Sequence, residues 1–342
     1  MSDNLITSKC RIIVDAMGGD FAPQNAVRGA IEALNSDPSI ELFLTGRKND
    51  IRSVLDEFNL SFDDDHIINT EEVIDMCDSP TNALKTKKDS SIVVGATRVK
   101  NGLADAFVSA GNTGAMMAAS TLLMGRIKGV GRPTIGAPIP SQTGVCNLFD
   151  VGASVDSKPQ HLVEYAIMGS IYVEEIDGIK SPKVGLLSVG EEESKGNELT
   201  LKALKMLKEI KNINFIGNVE GKDILGGKAD IIVCDGYVGN ILLKFAESFL
   251  GILKVKVKQF AFKSLLNKIK VLLMKGTLKQ VLSDFNAEDY GGTPLLGVKG
   301  ISIIGHGSSS VTAIRNMVLK AKEMHDKQLL QKFEKALSDY GN

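Results

Sequence analysis

Short apolar runs recur along the chain, each followed by a turn of small residues and then a stretch with helical spacing. Arg11–Asp15 leads through Met17-Gly18-Gly19-Asp20 into a helix expected to reach about Asn35, with Pro23 near its start, where proline is favoured. Ala106–Val108 leads through Ser109–Gly114 into a helical pattern over Thr113–Arg126. Ile231–Cys234 opens a long helix near Tyr237, and Ile301–Ile304 precedes a closing helix or helix pair over Ser308–Leu337. Glu41–Thr45, His66–Asn69, Thr134–Pro138, Val145–Phe149, Lys183–Leu187 and Asn214–Gly217 read as further strands. Asp50–Phe58, Ser90–Lys100, Pro159–Glu175 and Asn197–Ile210 read as helices between them. Such an alternation predicts an α/β fold: a mostly parallel, doubly wound sheet with helices on both faces. Ligands of these sheets bind beyond the carboxyl ends of the strands, so the turns there are the places to look for chemistry. The 342 residues suit one α/β domain, divided at most into two soft subdomains.

Composition narrows the function. A net charge of −1 gives no global attraction to nucleic acid. Cys10, Cys77, Cys146 and Cys234 have no C-x-x-C spacing, and the four histidines are dispersed, so neither a disulfide framework nor a metal site is expected. Met1–Lys9 is polar, which makes the cytoplasm the expected location. No apolar run is long enough to span a bilayer.

The turns carry the candidate site. In Phe107–Ala118 a strand meets a helix start, where unpaired N–H groups and the helix dipole favour an anion. Ser109, Gly111, Asn112, Thr113 and Gly114 are candidate phosphate ligands, joined by Gly18, Gly19 and Ser308 from the other turns. The stretch lacks the lysine of a nucleotide P-loop and the spacing of a dinucleotide fingerprint. Asp150 and Asp156 flank a turn ending in Lys158, and either a helix cap or a proton acceptor fits them. Glu191–Glu193 suits a solvated loop, with Lys195 and Asn197 beside Gly196 the better substrate contacts. Asp235 suits a helix cap, whereas Asn240 and Lys244, four residues apart, share a helix face and suit a phosphate or oxyanion. His306 stands at a strand end, and Ser308 or Ser309 is expected to cap the next helix.

The segment Ser248–Ser283 differs in kind. It holds eight lysines and no Asp, Glu or Arg, so it carries +8 and leaves −9 for the rest. On a helical wheel its apolar residues form two stripes, one through Val255, Phe262 and Leu266 and one through Leu253, Val257 and Phe260. Two stripes fit a dimer-packing helix pair with solvated lysines. They also fit one packed contact and a second contact to an anionic membrane or an acidic protein. Lys254, Lys258, Phe262, Lys263, Leu266 and Lys270 are the candidate contacts, within a helical segment over 237–283.

Seven motifs in this order resemble the bacterial phosphate acyltransferase family, the PlsX type, over nearly the whole chain. They are Asp15-Ala-Met-Gly-Gly-Asp20, Ser109–Ala115, Asp150–Ala153, Gly190–Asn197, Asp235–Asn240, Tyr290–Gly297 and His306–Ser309. Ala22 replaces an expected glycine, Ser154 an expected asparagine, and Ser310-Val311 a more polar pair. The resemblance implies transfer of a fatty acyl group from acyl-(acyl carrier protein) to inorganic phosphate, giving acyl phosphate for phospholipid synthesis, without cofactor or metal. It implies a fold like that of the isocitrate and isopropylmalate dehydrogenases and the phosphate acetyltransferases, and a homodimer. It also implies a peripheral membrane association beside the membrane acyltransferase that uses acyl phosphate. On that reading Asn240, Lys244 and His306 act on the carbonyl or phosphate oxygens, oriented by Asp235 and Asp150. Two alternatives stand beside it: a metal- and NAD-dependent decarboxylating dehydrogenase, and a non-catalytic sensor of carrier protein and membrane.

Overall fold

The computed structural model describes residues 9–281 and 290–341. Its strands, in chain order, are β1 (Cys10–Asp15), β2 (Ile40–Gly46), β3 (Ile67–Asn69), β4 (Ala106–Ser109), β5 (Thr134–Ser141) and β6 (Gly144–Phe149). They continue with β7 (Lys183–Leu187), β8 (Asn214–Val219), β9 (Ile231–Val233), β10 (Thr293–Leu296) and β11 (Ile301–Ile304). The described residues fall into two compact units, one within Met1–Ile135, Ile167–Ser181 and Ala287–Asn342, the other within Gly136–Ala166 and Pro182–Asn286.

In the first unit the strands run β3-β2-β1-β4-β11-β10. Pairings up to β11 are parallel, and β10 is antiparallel to β11 and to the first residues of β5. Ile12, Ile13, Val14, Phe107 and Val108 are fully buried, as continuous apolar runs must be when helices cover both faces. Arg11 locks the amino end of this sheet: its guanidinium and backbone N–H donate to both carboxylate oxygens of Asp105, the Nη2–Oδ1 contact being 2.7 Å. Burial pushes the Asp105 carboxyl up, but the hydrogen bonds and charge of Arg11 prevail and hold it below its ordinary value.

In the second unit the order is β5-β6-β9-β7-β8. β5 and β6 form an antiparallel hairpin, and the remaining pairs are parallel. The mostly parallel α/β fold expected from the sequence is therefore present, with antiparallel pairing among the described strands confined to β11–β10, β10–β5 and β5–β6. Two-residue connections such as Gln142-Thr143 permit only antiparallel neighbours.

The helix ends near the candidate site differ from expectation. The helix opening at Thr113 is α-helical only to Ala119; a wider π-type turn follows at Ser120–Met124 and ends at Gly125, whose φ is +92°. The cap of the next-to-last helix, Val311–Asp326, is Ser310, whose Oγ accepts from Ala313 N–H at 3.2 Å. Ser308 and Ser309 lie outside the helix: Ser308 Oγ faces His306 Nδ1 at 2.8 Å, and Ser309 Oγ donates to the His306 carbonyl at 2.6 Å.

From Gly236 to Phe262 the long helix is continuous, and Leu265–Val281 follows it, with Ser264 Oγ accepting from Asn267 N–H at the junction. Phe245, Phe249, Phe262, Leu265, Leu266 and Leu273 are all exposed. Lys258 and Lys270 are exposed on the same helices and Lys263 at the turn between them, while the side chain of Lys254 lies outside the described ones. No described helix is long and apolar enough to cross a membrane.

Candidate functional site

The carboxyl ends of β1, β4 and β11 are neighbours in the first unit, and their turns are tied together. Asp20 N–H donates to the Gly307 carbonyl at 2.7 Å, and Gly305 N–H to the Ser109 carbonyl at 2.8 Å. Beneath them a relay runs through side chains: Gly111 N–H donates to Ser109 Oγ at 3.0 Å, and Ser109 Oγ donates to Asp15 Oδ2 at 2.6 Å. Asp15 also accepts from Met17 N–H at 3.0 Å. Desolvation raises the Asp15 carboxyl above its ordinary range, opposed by the hydrogen bonds from Ser109, Ser91, Met17 and Gly18.

This packing explains Gly18. A Cβ there would stand 2.6 Å from Asp15 Oδ2, 2.7 Å from Gly111 N and 2.8 Å from Ser109 Oγ, so only glycine lets the two turns touch. Asp15, not among the predicted site residues, is thus the carboxylate that organises both turns. The available signal was an acid closing an otherwise apolar strand.

Gly18, Gly19, Ser109, Gly111, Asn112, Thr113, Gly114, His306 and Ser308 therefore belong to one set of adjoining turns. Their parts differ. Asn112 is buried and fully engaged: Oδ1 caps the helix through Ala115 N–H at 3.0 Å, and Nδ2 donates to the carbonyls of Asp75, Met76 and Asp78. Its side chain anchors the 75–80 loop, which leaves the exposed Thr113 as the hydroxyl available to a ligand. His306 is exposed, and its Nδ1 faces Ser308 Oγ at 2.8 Å and Ser308 N–H at 3.3 Å. A backbone donor on Nδ1 fixes Nε2 as the nitrogen that carries the proton, so His306 offers an N–H outward.

The second unit has its own group at the ends of β6, β9 and β7. Asp150 is fully buried and accepts from the N–H groups of Gly152, Ala153 and Ser154 at 3.2, 3.0 and 2.8 Å. Asp235 caps the long helix by accepting from Val238 N–H at 3.0 Å. A Cβ on Gly239 would overlap the Asp150 carbonyl oxygen, and one on Gly236 the Ser154 carbonyl oxygen. The two acids and two glycines thus lock helix start to loop. Asn240 comes out beside Gly152, its Cβ 3.4 Å from the position a Gly152 side chain would take.

Asn240 is half-buried and Lys244 exposed, and among the described residues neither side chain has a hydrogen-bond partner. Lys158 and Lys195 are likewise exposed, with side chains unpaired among the described residues. Asn197 is a cap, its Oδ1 accepting from Thr200 N–H at 2.9 Å. Two of the three consecutive acids are neutralised: Glu191 pairs with Lys228 at 2.9 Å and Glu193 with Lys208 at 2.5 Å. His161 was missed by the sequence reading; it is buried, and its Nδ1 accepts from Lys158 N–H at 3.1 Å, fixing the backbone beside that lysine.

The family model described as "Fatty acid synthesis protein" matches residues 10–332. The chain is 47% identical over 321 residues to a phosphate acyltransferase of Halothermothrix orenii, covering 94% of this chain and 96% of that protein. It is 48% identical over 314 residues to a phosphate acyltransferase of Heliobacterium modesticaldum, covering 92% and 93%. Among solved structures, a phosphotransacetylase from Streptococcus pyogenes superposes with a TM-score of 0.62 at 18% identity, covering 95% of both chains. A phosphotransacetylase from Staphylococcus aureus gives 0.59 at 16%, covering 96% of this chain and 94% of that one. At such identities the structures speak for the fold, and the sequence relatives carry the assignment. This chain belongs to the phosphate acyltransferase family and is an acyltransferase enzyme.

Proposed function

We propose that the enzyme transfers a fatty acyl group from the thioester of acyl carrier protein to inorganic phosphate, giving acyl phosphate and free carrier thiol. Transfer of an acyl group to phosphate in lipid synthesis follows from the family; the donor and product are our reading. One phosphate oxygen attacks the thioester carbonyl carbon, a tetrahedral oxyanion forms, and the C–S bond breaks with the electron pair leaving on sulfur. Phosphate near pH 7 is already partly dianionic, so the protein's work is positioning, desolvation and charge stabilisation.

The observation that carries this reading is the relay from Gly111 N–H through Ser109 to buried Asp15. It holds two glycine turns in contact, and beside it the N–H groups of Gly19, Thr113 and Gly114 are left for an anion. Gly19, Gly114 and Thr113 are the phosphate contacts on this reading, with Gly18, Gly111, Ser109 and Asn112 holding the turns in shape. Ser308 keeps the His306 Nε2–H directed outward. Asn240 and Lys244, on a helix start that Asp150 and Asp235 hold rigid, are the donors of the second unit. Lys158, Lys195 and Asn197 are assigned to the carrier-linked end of the substrate, Asn197 through its cap.

The lysine-rich helices are the docking face on this reading, for acidic carrier protein or for an anionic membrane on which acyl phosphate is handed to a membrane acyltransferase. Phe262, Leu266, Lys258, Lys263 and Lys270 are exposed there, and Val255, Lys258, Gln259, Phe262 and Lys263 line a shallow open hollow. A homodimer and a cytoplasmic, membrane-peripheral location complete the proposal. Product analysis tests it: phosphorus NMR of a reaction with acyl-carrier thioester and phosphate is expected to show an acyl phosphate resonance, quenched by hydroxylamine. Free fatty acid in its place overturns the reading.

A further inference from the structure

The loop at residues 75–79 lies against the turns after β4 and β11. Asn112 Nδ2 donates to the carbonyls of Asp75, Met76 and Asp78 at 3.0, 3.2 and 3.2 Å. Pro80, where the loop enters the next helix, stands 2.6 Å from the position of a Cβ on Gly114. The tip of Met76 stands 3.2 Å from that of a Cβ on Gly307, whose carbonyl accepts from Asp20 N–H. The loop is thus a wall beside the helix start at Thr113 and Gly114, where N–H groups are left for an anion.

Hydrophobic burial does not hold this wall, because no residue from Asp75 to Ser79 is buried. Polar contacts do, and Lys87 supplies the charged ones. Its Nζ donates to Asp78 Oδ2 at 2.6 Å, to the Val73 carbonyl at 2.7 Å and to Asp75 Oδ2 at 3.3 Å. An ammonium has three N–H groups, and all three are used. Asp78 Oδ2 also accepts from Asp75 N–H at 2.8 Å, so both ends of the loop close on one point. The hydrogen bond between them raises the Lys87 ammonium above its ordinary value and lowers the Asp78 carboxyl, so the pair stays charged at neutral pH. The backbone of Lys87 is itself anchored: its carbonyl accepts from Ser90 N–H at 3.2 Å. Ser90 is buried and caps the helix Ser91–Lys100, whose Ser91 side chain hydrogen-bonds to Asp15.

We infer that Lys87 is a positioning residue for the phosphate site: its ammonium gathers loop 75–79 onto the turns after β4 and β11 and so shapes the space beside Thr113 and Gly114. This rests on the proposed phosphate site and adds to it a side chain whose three donors all go to protein acceptors. Asn112 holds the loop from the side of the turns through neutral hydrogen bonds. Lys87 holds it from the other side through charge-assisted ones, which are the stronger kind. Without Lys87 the loop loses that clasp, and Asp75 and Asp78 lose their shared counter-ion next to the seat of an anion.

The test is steady-state kinetics of the full-length enzyme and its Lys87→Met variant, with phosphate and acyl-carrier thioester varied in turn. KM for phosphate is expected to rise about tenfold, while kcat and KM for the thioester change less than about twofold. Asp78→Asn breaks the same clasp from its other end and is expected to raise KM for phosphate in the same direction. The double variant is expected to be no worse than Lys87→Met alone. An unchanged KM for phosphate, equal damage to both substrates with a lower melting temperature, or effects that multiply in the double variant overturn the positioning role. Hydrogen exchange read by mass spectrometry, with inorganic phosphate as the probe and no acyl donor, separates this role from the proposed reaction. Phosphate is expected to slow exchange at residues 75–79 in the wild-type enzyme, and Lys87→Met to lose that slowing. That result supports the role even if the product is not acyl phosphate. Exchange indifferent to phosphate in the wild-type enzyme overturns it even if turnover depends on phosphate.

Discussion

Single atoms decide the shape of the glycine turns after β1 and β4. Ser109→Ala removes the hydroxyl that joins Gly111 N–H to Asp15, and a hydrogen bond to a charged group is worth about 1.5–3 kcal/mol. The expected outcome is a fall in kcat/KM of about 10–100-fold with a raised KM for phosphate, read by steady-state kinetics. Asn112→Ala is expected to act differently: it frees the 75–80 loop from three carbonyl contacts and lowers the melting temperature as well as activity. Asp105 gives a pH signature. Its folded carboxyl is held below the ordinary 3.8, so its contribution is complete above that value and is lost as pH falls through the depressed one. Asp105→Asn is therefore expected to lower the melting temperature at pH 7, by about 1–3 kcal/mol of stability, with the gap closing as pH falls through the depressed carboxyl value.

At the scale of elements, the position of most strands and helices is legible in the sequence because apolar period and glycine turns agree there. β7 and β11 match the expected Lys183–Leu187 and Ile301–Ile304 residue for residue. β10 was missed because Pro294 interrupts an apolar run already flanked by Gly291 and Gly292; in the fold Pro294 stands opposite Ile303 of β11. The short helix Pro80–Thr86 was missed because its residues are polar; Asn112 and the packing of Pro80 on Gly114 hold it in place, and such long-range contacts leave no local pattern. The site was legible as turns but not as roles: Asn112 and Asn197 have the composition of ligands and the geometry of caps. The lysine-rich helices were legible from charge alone. Changing Lys258, Lys263 and Lys270 together to Glu is expected to cut retention on anionic liposomes at least tenfold, or to raise KM for the carrier thioester, with stability moved by about 0.5 kcal/mol per site at most. Flotation and kinetics separate the two, and retention and KM both unchanged would remove this face from the mechanism.

For the whole molecule, each unit repeats one principle. A buried carboxylate at a strand end, Asp15 in one and Asp150 in the other, gathers backbone N–H groups and brings glycine-rich turns into contact. Rigid turns built this way suit a reaction in which the protein positions two substrates and supplies no nucleophile of its own. With no covalent enzyme intermediate, release of the carrier thiol must depend on phosphate. Acyl-carrier thioester is mixed with enzyme, and free thiol is followed over a phosphate series that includes none. Release is expected to rise from background to a plateau with phosphate, with no burst of thiol when phosphate is absent. A stoichiometric burst without phosphate, or a rate indifferent to phosphate, would contradict the account.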